Sequence, residues 1–294
     1  MKHFSIFLAL AALSLACATE SAWGQQSVAT PDAFISTPVV DMHSKPDDAS
    51  DVSSQVIYGS GIKQVEQKGE WVNIRTGDDY TGWIHAAQLR AITNYATGTN
   101  AVRVTALGAN LYSEPDVTTH AVLLQLPFES KLEAASPQKG ENERWLAVKL
   151  VDGTIAWIQR GDVSSGFAPM SIDEMIAFAH RFLGITYTWG GVSTHGFDCS
   201  GFTQMLERQR GIVMPRDADV QANWNRVIVI KRSDLAPGDL LFFGRDTDHI
   251  THTGMYIGHG DFIHDTVHEH PGVQISHLDD APWTTLLVAA RRIK

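Results

Sequence analysis

Hydrophobic and polar positions change their period along this chain, and the changes divide it. Lys2 and His3 precede a largely apolar run over residues 4–16, after which small residues take over. Charge, then a short apolar stretch, then small residues is the order of an export signal, and the run is too short to span a bilayer. No later stretch is long enough either. A signal segment over 1–24 is expected, with cleavage after Ala18 or Gly24. Lipidation at Cys17 is the alternative fate, although Ser14 stands where such signals usually carry leucine.

From residue 34 the pattern becomes short alternating runs separated by turn residues, and it repeats. Glu70-Trp71-Val72-Asn73-Ile74 leads to Thr81-Gly82-Trp83-Ile84-His85; further on, Arg144-Trp145-Leu146-Ala147-Val148 leads to Ile155-Ala156-Trp157-Ile158-Gln159. Period-two runs punctuated by Gly77-Asp78-Asp79 and Asp152-Gly153 predict two small β-barrels, over 34–95 and 99–165. The paired tryptophans are expected to pack, as large aromatics at strand periodicity usually do.

The third region, 170–294, opens with helical spacing. Ser171 and Glu174 form a capping box, Met175, Ile176, Phe178, Ala179, Phe182 and Leu183 give one apolar face, and Gly184 ends it. A second helix is predicted over 199–210, with Phe202, Met205 and Leu206 inward and Gly211 as its stop. Strand-like runs follow at 227–230, 240–243, 254–257, 262–264 and 286–290. Helices first and strands after predict an α+β domain. A papain-like arrangement, with one helix packed on a sheet, fits this order.

The 294 residues carry a net charge of −10, which argues against nucleic acid or an anionic membrane as the main partner. Cys199 has no disulfide partner to be expected, because the other cysteine, Cys17, lies in the export segment. Asp198 is placed to cap a helix that Cys199 opens, and a helix start favours thiolate over thiol. The bland alternative is a small buried apolar residue. Histidine crowds the later part of the third region: His249, His252, His259, His264, His268, His270 and His277. His264 and His268 are four apart, but on strand and turn rather than on a helix, so a zinc site is disfavoured. A thiol mechanism needs no metal or organic cofactor.

In order along the chain stand Tyr187-Thr188-Trp189-Gly190-Gly191, Phe197-Asp198-Cys199-Ser200-Gly201-Phe202, Leu235-Ala236-Pro237-Gly238-Asp239-Leu240-Leu241-Phe242-Phe243, His252-Thr253-Gly254-Met255-Tyr256-Ile257-Gly258 and Phe262-Ile263-His264. This ordered set resembles the NlpC-type cysteine peptidases of bacterial cell-wall metabolism, and the two repeats resemble bacterial SH3-like domains. The whole is similar to γ-D-glutamyl-L-diamino acid endopeptidases. The resemblance implies Cys199 as nucleophile, His252 as proton carrier and His264 as the residue that orients it. Whether both histidines share a face depends on the loop after Gly258: an odd-length loop places them together, a two-residue loop does not.

The same resemblance implies the Tyr187 hydroxyl as an oxyanion donor beside the Cys199 N–H. It implies Asp198 as receiver of a substrate amine, with Ser200 assisting. Tyr80 of the first barrel would wall off the pocket, and Arg216 and Asp217 would line it. Relatives often carry serine where this chain has Ala218, and Ser44-Lys45-Pro46 offers no match for an acidic residue that helps bind the amine in them. The expected partners are peptidoglycan stem peptides or muropeptides, outside the cytoplasm. The expected reaction cuts between γ-linked D-glutamate and a diamino acid in peptides with a free N-terminal L-alanine. The alternatives are a peptidase of intact cross-linked wall and a non-catalytic wall-binding module.

Overall fold

The two alternating regions fold as the same device twice. The computed structural model describes residues 30–135 and 144–294; the expected signal segment and Cys17 lie outside the described residues. The first set of strands is Ala33–Ile35, Val39–His43, Val52–Ile57, Gly61–Lys68, Trp71–Arg75, Thr81–His85 and Leu89–Arg90; the second is Ala101–Val104, Gly108–Tyr112, Leu124–Pro127, Lys131–Ala134, Trp145–Lys149, Ile155–Gln159 and Val163–Ser164. Numbered within each set, both sheets run in the order 3-2-6-5-4-1-7. The sequence repeat is therefore a repeat of topology.

Alternation explains both interiors, because every second side chain turns inward. Ile35, Val40, Met42, Ile62, Ile74 and Ile84 fill the first barrel. Val102, Leu111, Leu126, Leu132, Leu146 and Ile158 fill the second. Trp71 and Trp83 are buried, while Trp145 and Trp157 are half-buried. The barrels are also joined: Val151 N donates to Tyr58 Oη at 2.8 Å and Tyr95 Oη donates to Lys149 O at 2.9 Å.

The third region is α+β. Its first helix, Ile172–Ala179, carries the capping box between Ser171 and Glu174, and its end tightens into a 3-10 turn at His180–Phe182. The second helix, Cys199–Gln209, is buried along its whole length. It packs on strands Ile250–Gly258 and Asp261–Thr266, in the middle of a six-stranded antiparallel sheet. That sheet runs Val227–Val229, Leu287–Ile293, Leu240–Gly244, Ile250–Gly258, Asp261–Thr266, Gly272–His277. The strand Gly272–His277 and the short helices Ala218–Ala222 and Trp283–Leu286 were not expected. Phe128 of the second barrel enters the helix–sheet core, 5.4 Å from Phe178 and 5.8 Å from Phe182 between ring centres.

Candidate active site

Cys199 is the first residue of its helix. Asp198 caps that helix, accepting from Gly201 N at 2.7 Å. The turn before it is built on close backbone approach. A Cβ on Gly201 would lie 2.1 Å from Gly191 O, and one on Gly191 would lie 2.4 Å from Gly196 O, so only glycine fits either place. At Gly190, with φ +77, an added Cβ would lie 2.9 Å from Val52 Cγ1 of the first barrel. The cysteine is thus fixed between a capped helix and a glycine-lined loop that already touches another domain.

The two histidines do share a face, and a β-bulge is the reason. Gly258 pairs with Asp261, which leaves a two-residue loop. Carried on unbroken, that register would put His252 and His264 on opposite faces. The ladder shifts by one residue between Tyr256 and Gly258, so that Met255 pairs with Ile263. The shift places His264 across from Gly254, on the face that also carries His252. His252 Nε2 lies 2.7 Å from His264 Nδ1, and His264 Nε2 lies 3.0 Å from Ser276 Oγ. With both rings neutral, His252 Nε2–H donates to His264 and His264 Nε2–H donates to Ser276. That leaves Nδ1 of His252 unprotonated, as a general base requires.

Two neighbours of this pair, Trp283 and Ser276, escaped the sequence reading. Trp283 packs on both rings, 5.3 Å from His252 and 4.7 Å from His264. No spacing rule ties it to the motifs. Gly254 is needed because a Cβ there would stand 2.8 Å from the Phe262 ring and 3.0 Å from His264 Cβ.

Burial sets the resting protonation. It pushes the Cys199 thiol up to about 12, with the Asp198 charge adding to the effect, while the backbone N–H groups of Thr253 and Ser200 pull the other way. It pushes His252 down to about 4 and His264 well below its ordinary value. The expected thiolate preference of the helix start is therefore outweighed, and the resting pair is a thiol and a neutral imidazole. The Tyr187 hydroxyl is raised by burial and then by the charges of Cys199 and Asp198, so it remains a proton donor.

Asp198 does not have the free carboxylate expected of an amine receiver. Oδ1 accepts from Gly201 N, from Arg216 Nη1 at 3.0 Å and from Ser200 Oγ at 3.3 Å; Oδ2 accepts from Gly190 N at 3.0 Å and from Arg216 Nη2 at 2.6 Å. Arg216 also donates to Ser200 Oγ at 2.8 Å and to Ser54 Oγ of the first barrel at 3.1 Å. The carboxylate is saturated, and Ser200 is part of the same clamp. Asp217, by contrast, sits at a helix N-cap position without capping the helix. It accepts instead from Tyr80 Oη of the first barrel, at 3.4 Å. A cavity of about 520 Å³ is lined here by Asp79, Tyr80, Met214, Arg216, Asp217 and Trp224.

A capped helix-start cysteine over a sheet-borne histidine pair defines a papain-like cysteine peptidase. Comparison with known proteins gives the family. The NlpC/P60 family model matches residues 184–292, and the model of the bacterial dipeptidyl-peptidase SH3 domain matches residues 42–89. The chain is 30% identical, over 83% of its length and 76% of the relative's, to the Gamma-D-glutamyl-L-lysine dipeptidyl-peptidase of Bacillus cereus. It is 28% identical to the protein of the same name from Bacillus subtilis, over 82% of this chain and 81% of that one. The crystal structure of a NlpC/P60 family protein from Bacillus cereus superposes with a TM-score of 0.76 at 27% identity, covering 89% of this chain and 99% of that one. The chain belongs to the NlpC/P60 family of cysteine peptidases.

Proposed function

We propose that the protein hydrolyses the bond between γ-D-glutamate and a diamino acid in cell-wall stem peptides with a free N-terminal L-alanine, and that it does so outside the cytoplasm. Cys199 attacks the γ-carbonyl carbon. Because the thiol and imidazole rest neutral, proton transfer to His252 Nδ1 accompanies the attack. His264 holds the ring and Ser276 holds His264. The oxyanion is met by the Cys199 N–H and the Tyr187 hydroxyl. His252 returns the proton to the leaving amine, and water then releases the acyl group from the thioester.

The observation that carries the substrate reading is the Tyr80–Asp217 contact across the boundary between barrel and peptidase domain. It sets a hydroxyl and a carboxylate that no helix cap consumes on the wall of the cavity beside Arg216, which supports giving Asp217 the amine-reading role in place of the saturated Asp198. Relatives of similar length named as dipeptidyl-peptidases support this reading. The test is hydrolysis of L-Ala-γ-D-Glu-L-Lys beside its N-acetylated twin. A free-amine preference of roughly thirtyfold or more in kcat/KM is expected, from losing a charged partner at a part-buried carboxylate. Asp217→Asn should shrink it and Cys199→Ala should abolish turnover. Equal rates on both peptides would favour a hydrolase of intact wall, where the stem amine is already bonded.

A further inference from the structure

The turn that carries Tyr80 is linked to the second barrel through the nucleophile helix. Glu129 of the second barrel is buried at a left-handed φ of +72, a strained setting for a residue with a side chain. Its carboxylate accepts from Arg208 Nη2 at 2.7 Å, from Arg208 Nε at 3.1 Å and from Gln209 Nε2 at 2.8 Å, both donors lying at the end of the nucleophile helix. Arg208 Nη1 donates one helical turn back, to Gln204 Oε1 at 3.1 Å. That contact fixes which way the Gln204 amide points. Its nitrogen must face away from the guanidinium, and it donates to Asp78 Oδ2 of the first barrel at 2.8 Å and to Met214 O at 2.9 Å. The other oxygen of Asp78 accepts from Thr76 Oγ1, and Thr76 N donates to Tyr80 O at 2.9 Å.

These contacts form one unbroken series: second barrel, nucleophile helix, first-barrel turn, Tyr80, Asp217. Glu129, Gln204 and Arg208 are all at most 9% exposed. In such surroundings a missing partner is costly, so the amide and guanidinium have one satisfied arrangement. None of the three touches the reacting atoms. All three connect, through Asp78 and Thr76, to the backbone carbonyl of Tyr80.

We propose that Glu129, Arg208, Gln204 and Asp78 are positioning residues that set substrate specificity by holding Tyr80 over the cleft, which gives the second barrel its part in recognition. This rests on the reading of Tyr80 and Asp217 as the amine-binding end of the cleft. Gln204 and Arg208 lie on the helix that Cys199 opens, yet their effect falls on KM and on selectivity, because the helix N-terminus is fixed separately by Asp198 and Gly191.

The test uses the full chain with Glu129→Gln and Gln204→Met, measured on L-Ala-γ-D-Glu-L-Lys and its N-acetylated twin. The free-amine preference should fall about tenfold, the scale of coupling inside one hydrogen-bond network, with kcat on the free peptide nearly unchanged. Neither change should lower the preference further when Tyr80→Phe is already present. In protein labelled with fluorotyrosine, the ¹⁹F line of Tyr80, assigned by its loss in Tyr80→Phe, should shift or broaden in Gln204→Met. An unchanged preference in both variants, an equal loss on both peptides, or effects that multiply with Tyr80→Phe would overturn the proposal. If Glu129→Gln does not fold, Gln204→Met decides. If the wild type shows no free-amine preference, the substrate reading fails, and the Tyr80 line alone decides the relay: an unmoved line would overturn it.

Discussion

Arg216 donates from both terminal nitrogens to the two oxygens of Asp198, at 3.0 and 2.6 Å, while its Nε reaches Ser54 of the first barrel. One guanidinium therefore anchors the cap of the nucleophile helix and joins two domains. The side chains are 2% and 11% exposed, so this is a buried ion pair. Breaking one half of such a pair leaves an uncompensated charge and costs about 3–5 kcal/mol. Arg216→Met should lower stability by that order in urea denaturation. Adding Asp198→Asn should recover part of it by removing the stranded carboxylate. A loss under about 1 kcal/mol, the usual worth of an exposed pair, would show that solvent reaches and screens the charges.

Gly254 and His264 make a steric relationship with a kinetic consequence. A methyl group at Gly254 has no room against the Phe262 ring or the His264 Cβ. Gly254→Ala should push the His264 ring off His252 Nε2. A drop in kcat of about tenfold to a hundredfold is expected, consistent with the usual contribution of a general base and its support. The overpacking should cost about 1–3 kcal/mol in stability. KM for the stem peptide should move little. Normal kcat in a folded Gly254→Ala enzyme would mean that the His252–His264 contact does not orient the base.

Much of this site was legible in the sequence, and the parts that were not share a cause. Cys199, Asp198 and the helix they begin follow from local rules of capping and helical period. The two barrels follow from alternation and the repeated tryptophans. The face shared by His252 and His264 depended on a one-residue bulge at the end of a strand, and the loop length alone pointed to the wrong register. The saturation of Asp198 depended on Arg216, eighteen residues away and also bonded to Ser54 of another domain. Trp283 and Ser276 reach the histidines from segments that carry no motif. The strand Gly272–His277 follows a histidine-rich turn that reads as loop. Local chemistry sets one residue and its neighbours; register and contacts between domains require the fold.

The depressed histidine gives a pH profile with a definite sign. Burial holds His252 at about 4 in the folded protein, against an ordinary value of 6.5. As the base it must be neutral, so kcat/KM should stay high through pH 5.5 and fall only as pH drops through about 4. Stability follows the same group. Between 6.5 and about 4 the unfolded chain binds a proton that the folded chain refuses, so stability is full above 6.5 and is lost as pH falls through that window. His264 is shifted in the same direction by burial and by the charges of His252 and His268, and adds to the loss. Melting temperatures and initial rates at matched pH values measure both effects. An acid limb in kcat/KM centred between pH 6 and 7 would place an ordinary, solvated histidine at the site and defeat this account.

Asp265 follows His264 on the same strand and turns to the opposite face. It is fully buried, and neither carboxylate oxygen has a hydrogen-bond partner of good geometry. Burial, and then the charge of Asp198, raises it from 3.8 to about 8; the backbone N–H groups of Thr266 and Phe197 pull it back only in part. Between those two values the folded state keeps a proton that the unfolded chain has released. Stability contributed by this group is therefore complete at low pH and is lost as pH rises toward 8, the reverse of the histidine effect. Above pH 8 a charged Asp265 would add to the negative charge already acting on Tyr187. Asp265→Asn is close to isosteric and cannot ionise. It should raise stability at pH 8–9 by roughly 1–3 kcal/mol, the penalty of a buried unsatisfied group, and flatten the alkaline fall. Near pH 3, below the ordinary value of 3.8, the carboxyl is protonated in folded and unfolded chain alike, and the variant and the wild type should melt together. A variant that melts below the wild type at pH 9 would show that the carboxylate has a partner that stabilises its charge.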